Sequence, residues 1–290
     1  MTQFLQLLVT GLSIGSIYAV ISVGFVLVYK ATEVFNFAQG NLMVVGAYLG
    51  YTFIDGMGLP AVVGALAAVA CAAIIGILLH YTMFRPMLGK PVLSIIMATI
   101  GLALIIDALI IILYGPIGLS YPEVLPKHVL NWNGVRISTL DLVIIGIAAL
   151  CVIGFGIFFR RSNLGLQMRA TAENFEAASL SGVNSDRVFA TALAIGTGMA
   201  AIGGVLLATT NLLSVELSAI AFLAFPAIVI GGLESIPGAV IGGLAVGIIQ
   251  NLAAGYISSD AQTVVVYIVL LVVLMVRPYG LFGQREIVRV

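Results

Sequence analysis

Nine long apolar runs, separated by more polar breaks, constrain this chain more than any other feature. They cover roughly 5–29, 38–54, 60–84, 92–114, 140–159, 188–210, 217–232, 238–256 and 262–276. A helix rises about 1.5 Å per residue, so about 20 residues cross a hydrocarbon core of about 30 Å. Most of the runs are near that length. A soluble domain carries about 25% charged residues; this chain has 8%, with 61% hydrophobic, too few charges to cover a globule in water. A transmembrane barrel would show segments of about ten residues alternating apolar and polar, which the sequence lacks. The expected fold is all-α: a polytopic membrane bundle of about eight or nine transmembrane segments, one transmembrane domain over 1–290. The seventh run is short and carries Pro226 near its middle, so it is expected to be either a crossing or a broken, re-entrant helix.

Lys and Arg in the loops set the orientation. With the C-terminus in the cytoplasm and nine crossings, Lys30, Arg85, Lys90, Arg160, Arg161, Arg169, Arg187, Arg277, Arg285 and Arg289 fall inside, and only Lys127 and Arg136 outside. Ten of the twelve cations are then cytoplasmic. If the seventh run re-enters and no other run changes, the bias is lost. The N-terminus is placed outside; Met1 to Tyr29 has no basic n-region and too long an apolar run for a cleavable signal. The external loop at 115–139 holds three prolines and Trp132; a partly structured cap with Trp132 as an interfacial anchor is expected.

Gly11 and Gly15, Gly238 and Gly242, and Gly243 and Gly247 are spaced four apart, the pattern that lets membrane helices approach closely. Cys71 and Cys151 lie inside apolar runs and read as small core residues. His80 and His128 are too scattered for a metal site. No zincin motif or Cys/His cluster occurs. Gly89-Lys90 is the nearest approach to a phosphate loop, but Phe84 stands where its first glycine would be and Pro91 follows the lysine. Work against a gradient would therefore draw on an ion gradient or another subunit.

Three polar features remain. Asp107 is the one clear ionisable residue within a run, a proton site or a carboxyl bonded inside the bundle. In VFNFAQGNLM (34–43), Asn36, Gln39 and Asn41 lie between two runs; such amides cap a helix junction or line a permeation path. GGLESIPG (231–238) brings Gly231, Gly232, Glu234 and Pro237 to a second irregular point, and paired Gly/Pro interruptions mark the central site of many transporters. Together Asn36, Gln39, Asn41, Asp107, Gly231, Gly232, Glu234 and Pro237 are the candidate translocation path. The rival readings are a stand-alone ion-coupled carrier using Asp107 and a passive channel for a small polar solute.

The most polar stretch lies in the cytoplasmic loop 160–187, whose 28 residues carry seven charges. Asn174 is a good N-cap and Gly182 a good C′ residue, which predicts a helix of about two turns between them. Glu176 in its first turn complements the macrodipole. So short a helix is marginal alone in water and needs a surface to rest on. Ala177, Ala178 and Ser181 are expected to form a small face that admits another surface, with Phe175 as an apolar anchor.

Glu176-Ala177-Ala178 followed by Gly182 resembles the EAA loop of ABC-importer permeases, the coupling helix that sits in a groove of the ATPase. GLSIGSIYAVISVGFVLVYKATEVFNFAQG (11–40), GGLESIPGAVIGG (231–243) and RPYGLFG (277–283) add to it. Together they resemble the LivH-type permease of the branched-chain amino acid ABC transporter family over nearly the whole chain. The resemblance implies a bundle like those of ribose- and vitamin-B12-type importers and a non-catalytic subunit of the inner (plasma) membrane, with no cofactor in this chain. It implies a second, LivM-type permease, two cytoplasmic ATPases carrying ATP and Mg, and a periplasmic or lipid-anchored binding protein that delivers branched-chain or related neutral amino acids. By the same resemblance Arg169, Glu173, Phe175, Glu176, Ala177, Ala178 and Gly182 are the candidates for ATPase coupling. The loop's spacing departs from the longer EAA consensus of maltose-type permeases, so individual ATPase contacts are not carried over from there.

Overall fold

The computed structural model describes residues 2–123, 128–132 and 135–283. Lys127, Arg285 and Arg289, counted above for orientation, lie outside the described residues, as does the Trp132 side chain. The helices are α1 (Thr2–Thr32), α2 (Gln39–Tyr51), α3 (Ala61–Leu79), α4 (Arg85–Met87), α5 (Val92–Tyr114), α6 (Thr139–Arg161), α7 (Asn163–Glu173), α8 (Phe175–Leu180), α9 (Ser185–Ala208), α10 (Leu217–Ala221), α11 (Ala224–Gly231), α12 (Ile236–Tyr256) and α13 (Ala261–Val276). Turns of π-helix extend α2 over Thr52–Gly56 and join α3 to α4 over His80–Phe84. A hairpin, β1 (Val129–Trp132) and β2 (Val135–Ser138), pairs Val129 with Ser138 and Leu130 with Ile137.

Each of the nine apolar runs corresponds to a helix or a broken pair of helices. Among the described residues six helices are long and apolar enough to cross a membrane: α1, α3 with its extension to Met87, α5, α6, α9 and α12. The seventh run is two pieces, α10 and α11. Pro226 is the third residue of α11, where its missing N–H does no harm, but its ring opposes the carbonyl four residues back. That residue is Phe222, where the helix breaks.

The chain forms two compact units interlaced in sequence: residues 1–26, 125–150 and 222–290, and residues 27–124 and 151–221. In the first, the paired glycines hold the helices together. A Cβ on Gly15 would lie 2.9 Å from Leu244 Cα, one on Gly11 2.9 Å from Ile248 Cα, and one on Gly243 2.6 Å from the Ala19 nitrogen. Gly238 and Gly242 serve another face of α12, against Gly231 and the Ala227 carbonyl of α11. In a lipid environment such backbone approach and hydrogen bonding replace the hydrophobic drive of a soluble core. Tyr18 Oη donates to Gln250 Oε1 at 2.9 Å and Asn251 Nδ2 to the Leu7 carbonyl at 2.8 Å.

In the second unit α9 is the central helix. A Cβ on Gly76 of α3 would meet the Leu193 carbonyl oxygen at 2.6 Å and Thr197 Oγ1 at 2.7 Å; Gly46 of α2 sits against Ala201, and Gly204 of α9 against the Met43 carbonyl. The buried residues of α3 are Gly64, Ala68, Ala72 and Gly76, every fourth position. The stripe continues through the π turn, where His80 and Phe84 are buried. Near the ends of α5 and α9, Leu119 and Leu213 exchange two backbone bonds of 2.9 Å. Cys71 and Cys151 are free and partly buried.

Candidate functional site

Three short N-capped starts organise the polar loop. Ser162 accepts a bond from the Gly165 amide at 2.9 Å, Asn174 from Ala177 at 2.8 Å, and Asn184 from Arg187 at 3.1 Å. Asn174 ends α7 and begins α8 in one extended residue. At the far end of α8 the Val183 amide donates to the Ala178 carbonyl at 3.1 Å and Gly182 to Ser179 at 3.0 Å. Gly182 has φ +85°, so the pair forms a Schellman cap that requires a left-handed residue at C′. The six residues of α8 are thus fixed at both ends by their own sequence.

The side chains of this island divide into two sets. Arg169 is turned back on the chain: its guanidinium donates to the Phe159 and Arg160 carbonyls at the end of α6 and lies 5.4 Å from the Phe159 ring centroid. Such a cation satisfies carbonyls that the helix end leaves open. Ala178 is only 6% exposed, so the small face expected from Ala177, Ala178 and Ser181 is not uniform: Ala178 faces inward, whereas Ala177 and Ser181 are exposed. Glu173, Glu176 and Gly182 are also exposed. Phe175 stacks on Phe189 of α9, rings 6.0 Å apart and within 2° of parallel, yet remains 51% exposed. Leu180, absent from the sequence-based candidates, is 90% exposed. A leucine at the end of a charged loop helix was the available signal.

The amides at the α1–α2 junction are each hydrogen-bonded within the second unit. Asn36 Oδ1 accepts from the Ala38 amide at 3.1 Å, and its Nδ2 donates to Gln39 Oε1 at 3.2 Å. Gln39 Nε2 donates to the Gly196 carbonyl of α9 at 2.9 Å. Asn41 Nδ2 reaches Asp107 Oδ1 at 2.7 Å and the Ala103 carbonyl at 3.3 Å, and the Phe37 amide donates to Thr99 Oγ1 at 3.3 Å. Of the four polar candidates, Asn36 lies in the junction before α2, Gln39 and Asn41 on α2 and Asp107 on α5, and Gln39 is tied to α9 through the Gly196 carbonyl. Glu33, just before them, holds φ +55° without being glycine.

Gly231, Gly232, Glu234 and Pro237 belong to the first unit. Gly232 has φ +103°, and Ser235 caps α12 by accepting from Gly238 at 3.0 Å. Glu234 and Pro237 are exposed. The sequence did not show what stands beside them. Leu281 donates its amide to the Ile230 carbonyl at 2.8 Å and Phe282 to Gly231 at 3.1 Å, so RPYGLFG caps the last carbonyls of α11. A Cβ on Gly280 would be 2.6 Å from the Val229 oxygen.

Among the described residues, six helices long and apolar enough to cross a membrane, with further short ones, define a multi-pass membrane protein. The chain belongs to the family described as the permease component of the branched-chain amino acid transport system, whose model matches residues 7–274. It is 32% identical to the high-affinity branched-chain amino acid transport system permease protein LivH of Escherichia coli K12, over 99% of this chain and 98% of that one. It is 33% identical to the corresponding permease protein BraD of Pseudomonas aeruginosa over the same shares. It is 26% identical to a probable branched-chain amino acid transport permease protein LivH of Methanocaldococcus jannaschii, over 93% of this chain and 89% of that one. No solved structure matches this chain.

Proposed function

We propose that this chain is the membrane-spanning, non-catalytic subunit of an ATP-driven importer that moves branched-chain or related neutral amino acids across the inner (plasma) membrane. Its C-terminus is in the cytoplasm and its N-terminus outside. Separate ATPases, carrying ATP and Mg, supply the energy and engage α8. A second permease of LivM type completes the path, and a binding protein delivers substrate to the face bearing the 115–139 loop. The observation that carries this reading is α8 itself: a helix fixed by its own caps that leaves Glu176, Ala177 and Leu180 exposed in a loop outside the spans. A surface helix with that composition, in a family of transport permeases, has a partner as its physical rationale.

Asn36, Gln39, Asn41 and Asp107 are proposed as path residues of the second unit, and the turn at Gly231, Gly232, Glu234 and Pro237 separately as path residues of the first. An amino acid's ammonium and carboxylate need amides, helix termini or backbone groups in place of water. The Asn41 amide on Asp107 supports a structural carboxylate over a proton carrier. The test is uptake of labelled leucine into liposomes. The chain reconstituted with its co-purifying subunits accumulates leucine only with ATP inside the ATPase-facing compartment. Accumulation by this chain alone under a proton or sodium gradient, abolished by Asp107→Asn, would overturn the reading in favour of a carrier.

A further inference from the structure

We propose that His80 and Asp186 are positioning residues that transmit displacement of α8 to the α3–α9 pair, a role that rests on α8 being the ATPase-coupling helix. Asp186 lies in the first turn of α9, directly after the loop that ends α8. Its Oδ1 is 2.9 Å from His80 Nε2 and 3.4 Å from Arg85 Nε. A carboxylate only accepts, so the Nε2–H donates. His80 is 1% exposed and its Nδ1 is buried without a partner, so this bond is its single polar attachment.

The same imidazole meets the aromatic chain that carries α8. Phe175 of α8 stacks on Phe189, and Phe189 lies 6.4 Å from His80. Ser179 and Ser185 join across the loop at 2.9 Å. Beyond His80 the buried stripe Gly76, Ala72, Ala68 and Gly64 runs up α3, with Gly76 pressed on the Leu193 carbonyl and Thr197 of α9. Interfaces this tight are repacked in discrete steps and are not continuously deformable. His80 opens the π turn of this helix, and single π turns mark functional points in helices. The route from the exposed tip to the packed stripe is therefore Phe175, Phe189, then His80 with Asp186.

The experiment measures leucine transported per ATP hydrolysed in the reconstituted complex. His80→Phe and Asp186→Asn each lower the ratio about tenfold, the scale of losing one charge-assisted bond, with ATP hydrolysis and subunit assembly retained. The double variant is no worse than either single one, and His80→Gln, which keeps a donor near the Nε2 position, restores most of the ratio. Unchanged ratios in His80→Phe and Asp186→Asn overturn the proposal, as does strict additivity of the two. Asp186→Asn is part-exposed and keeps the fold testable if His80→Phe does not assemble. Leu180→Ser with Glu176→Lys separates the two claims. If that variant still assembles and couples normally, the reading of α8 fails; if it uncouples while the His80 and Asp186 variants do not, the relay alone fails.

Discussion

The chain places polar residues in two very different settings, the amide segment 34–43 and the loop 162–184. Asn36, Gln39 and Asn41 are buried, Gln39 completely; Asn36 is bonded within the segment, and Gln39 and Asn41 to α9 and α5. In the loop, the caps and Arg169 are engaged in the same way, but Glu173, Glu176, Ala177 and Leu180 are exposed, Leu180 almost fully. Polarity in the first region stabilises an irregular junction between apolar helices, where an unmet amide has no water to turn to. In the second it holds up a surface whose outer side chains are exposed. Exposure, more than polarity, is what separates the proposed docking element from a structural one.

The comparison breaks if the two regions respond alike to substitution. The largest expected effect is in the interior. Gln39→Leu removes the bond to the Gly196 carbonyl and leaves Asn36 Nδ2 unmet, destabilising the protein by about 2 kcal/mol in thermal unfolding of the detergent-solubilised chain. Leu180→Ser, measured alongside, shifts stability by less than about 0.5 kcal/mol. Equal losses in both would mean that Leu180 packs within the bundle. Next, Leu180→Ser with Glu176→Gln weakens association with the ATPase at least tenfold, about 1.4 kcal/mol, read by titration of the purified subunits. An unchanged affinity would remove the docking role from this face.

Smaller effects sharpen the boundary between the regions. Glu33 enters the amide segment in a left-handed conformation that costs a residue with a Cβ about 1 kcal/mol. Glu33→Gly therefore raises the unfolding midpoint; a drop would show that the carboxylate has work at the junction. Tyr121, in the loop after α5, carries a buried hydroxyl without a partner, and burial pushes its pKa up to about 12. Its folded value lies above the unfolded one of about 10. The neutral ring is thus favoured below pH 10, and that contribution fades as pH climbs toward 12. Tyr121→Phe is neutral to slightly stabilising near pH 7 and flattens the alkaline limb of the stability curve.

Local signals in the sequence carried much of this. Each of the nine apolar runs holds a helix or a broken pair, the four-residue glycine spacing marked the α1–α12 contact, and Asn174 with Gly182 marked both ends of α8. Each of these is readable within a window of a few residues. What escaped depends on contacts distant in sequence: Asn41 with Asp107, His80 with Asp186, and RPYGLFG with the end of α11. No periodicity encodes such pairs. The inward turn of Ala178 and the exposure of Leu180 were missed for a related reason. Two turns of helix have too little hydrophobic pattern to say which face meets the bundle. Arg169, grouped with the coupling candidates by its place in the loop, is engaged with the end of α6 in this structure, a role that charge alone does not announce.

The central claim is that α8 is where energy enters, and a cross-link at its tip tests it most directly. With Cys71→Ala and Cys151→Ala removing the native thiols, Leu180→Cys provides a single thiol on the exposed end of α8. A short photoactivatable thiol-reactive probe at that position should capture the ATPase subunit in the assembled complex, with a yield that changes on adding ATP. The same probe in Ile112→Cys, on an exposed face of α5, should not capture it. A complex that transports leucine normally yet gives no ATPase adduct from position 180, with or without ATP, would contradict the account.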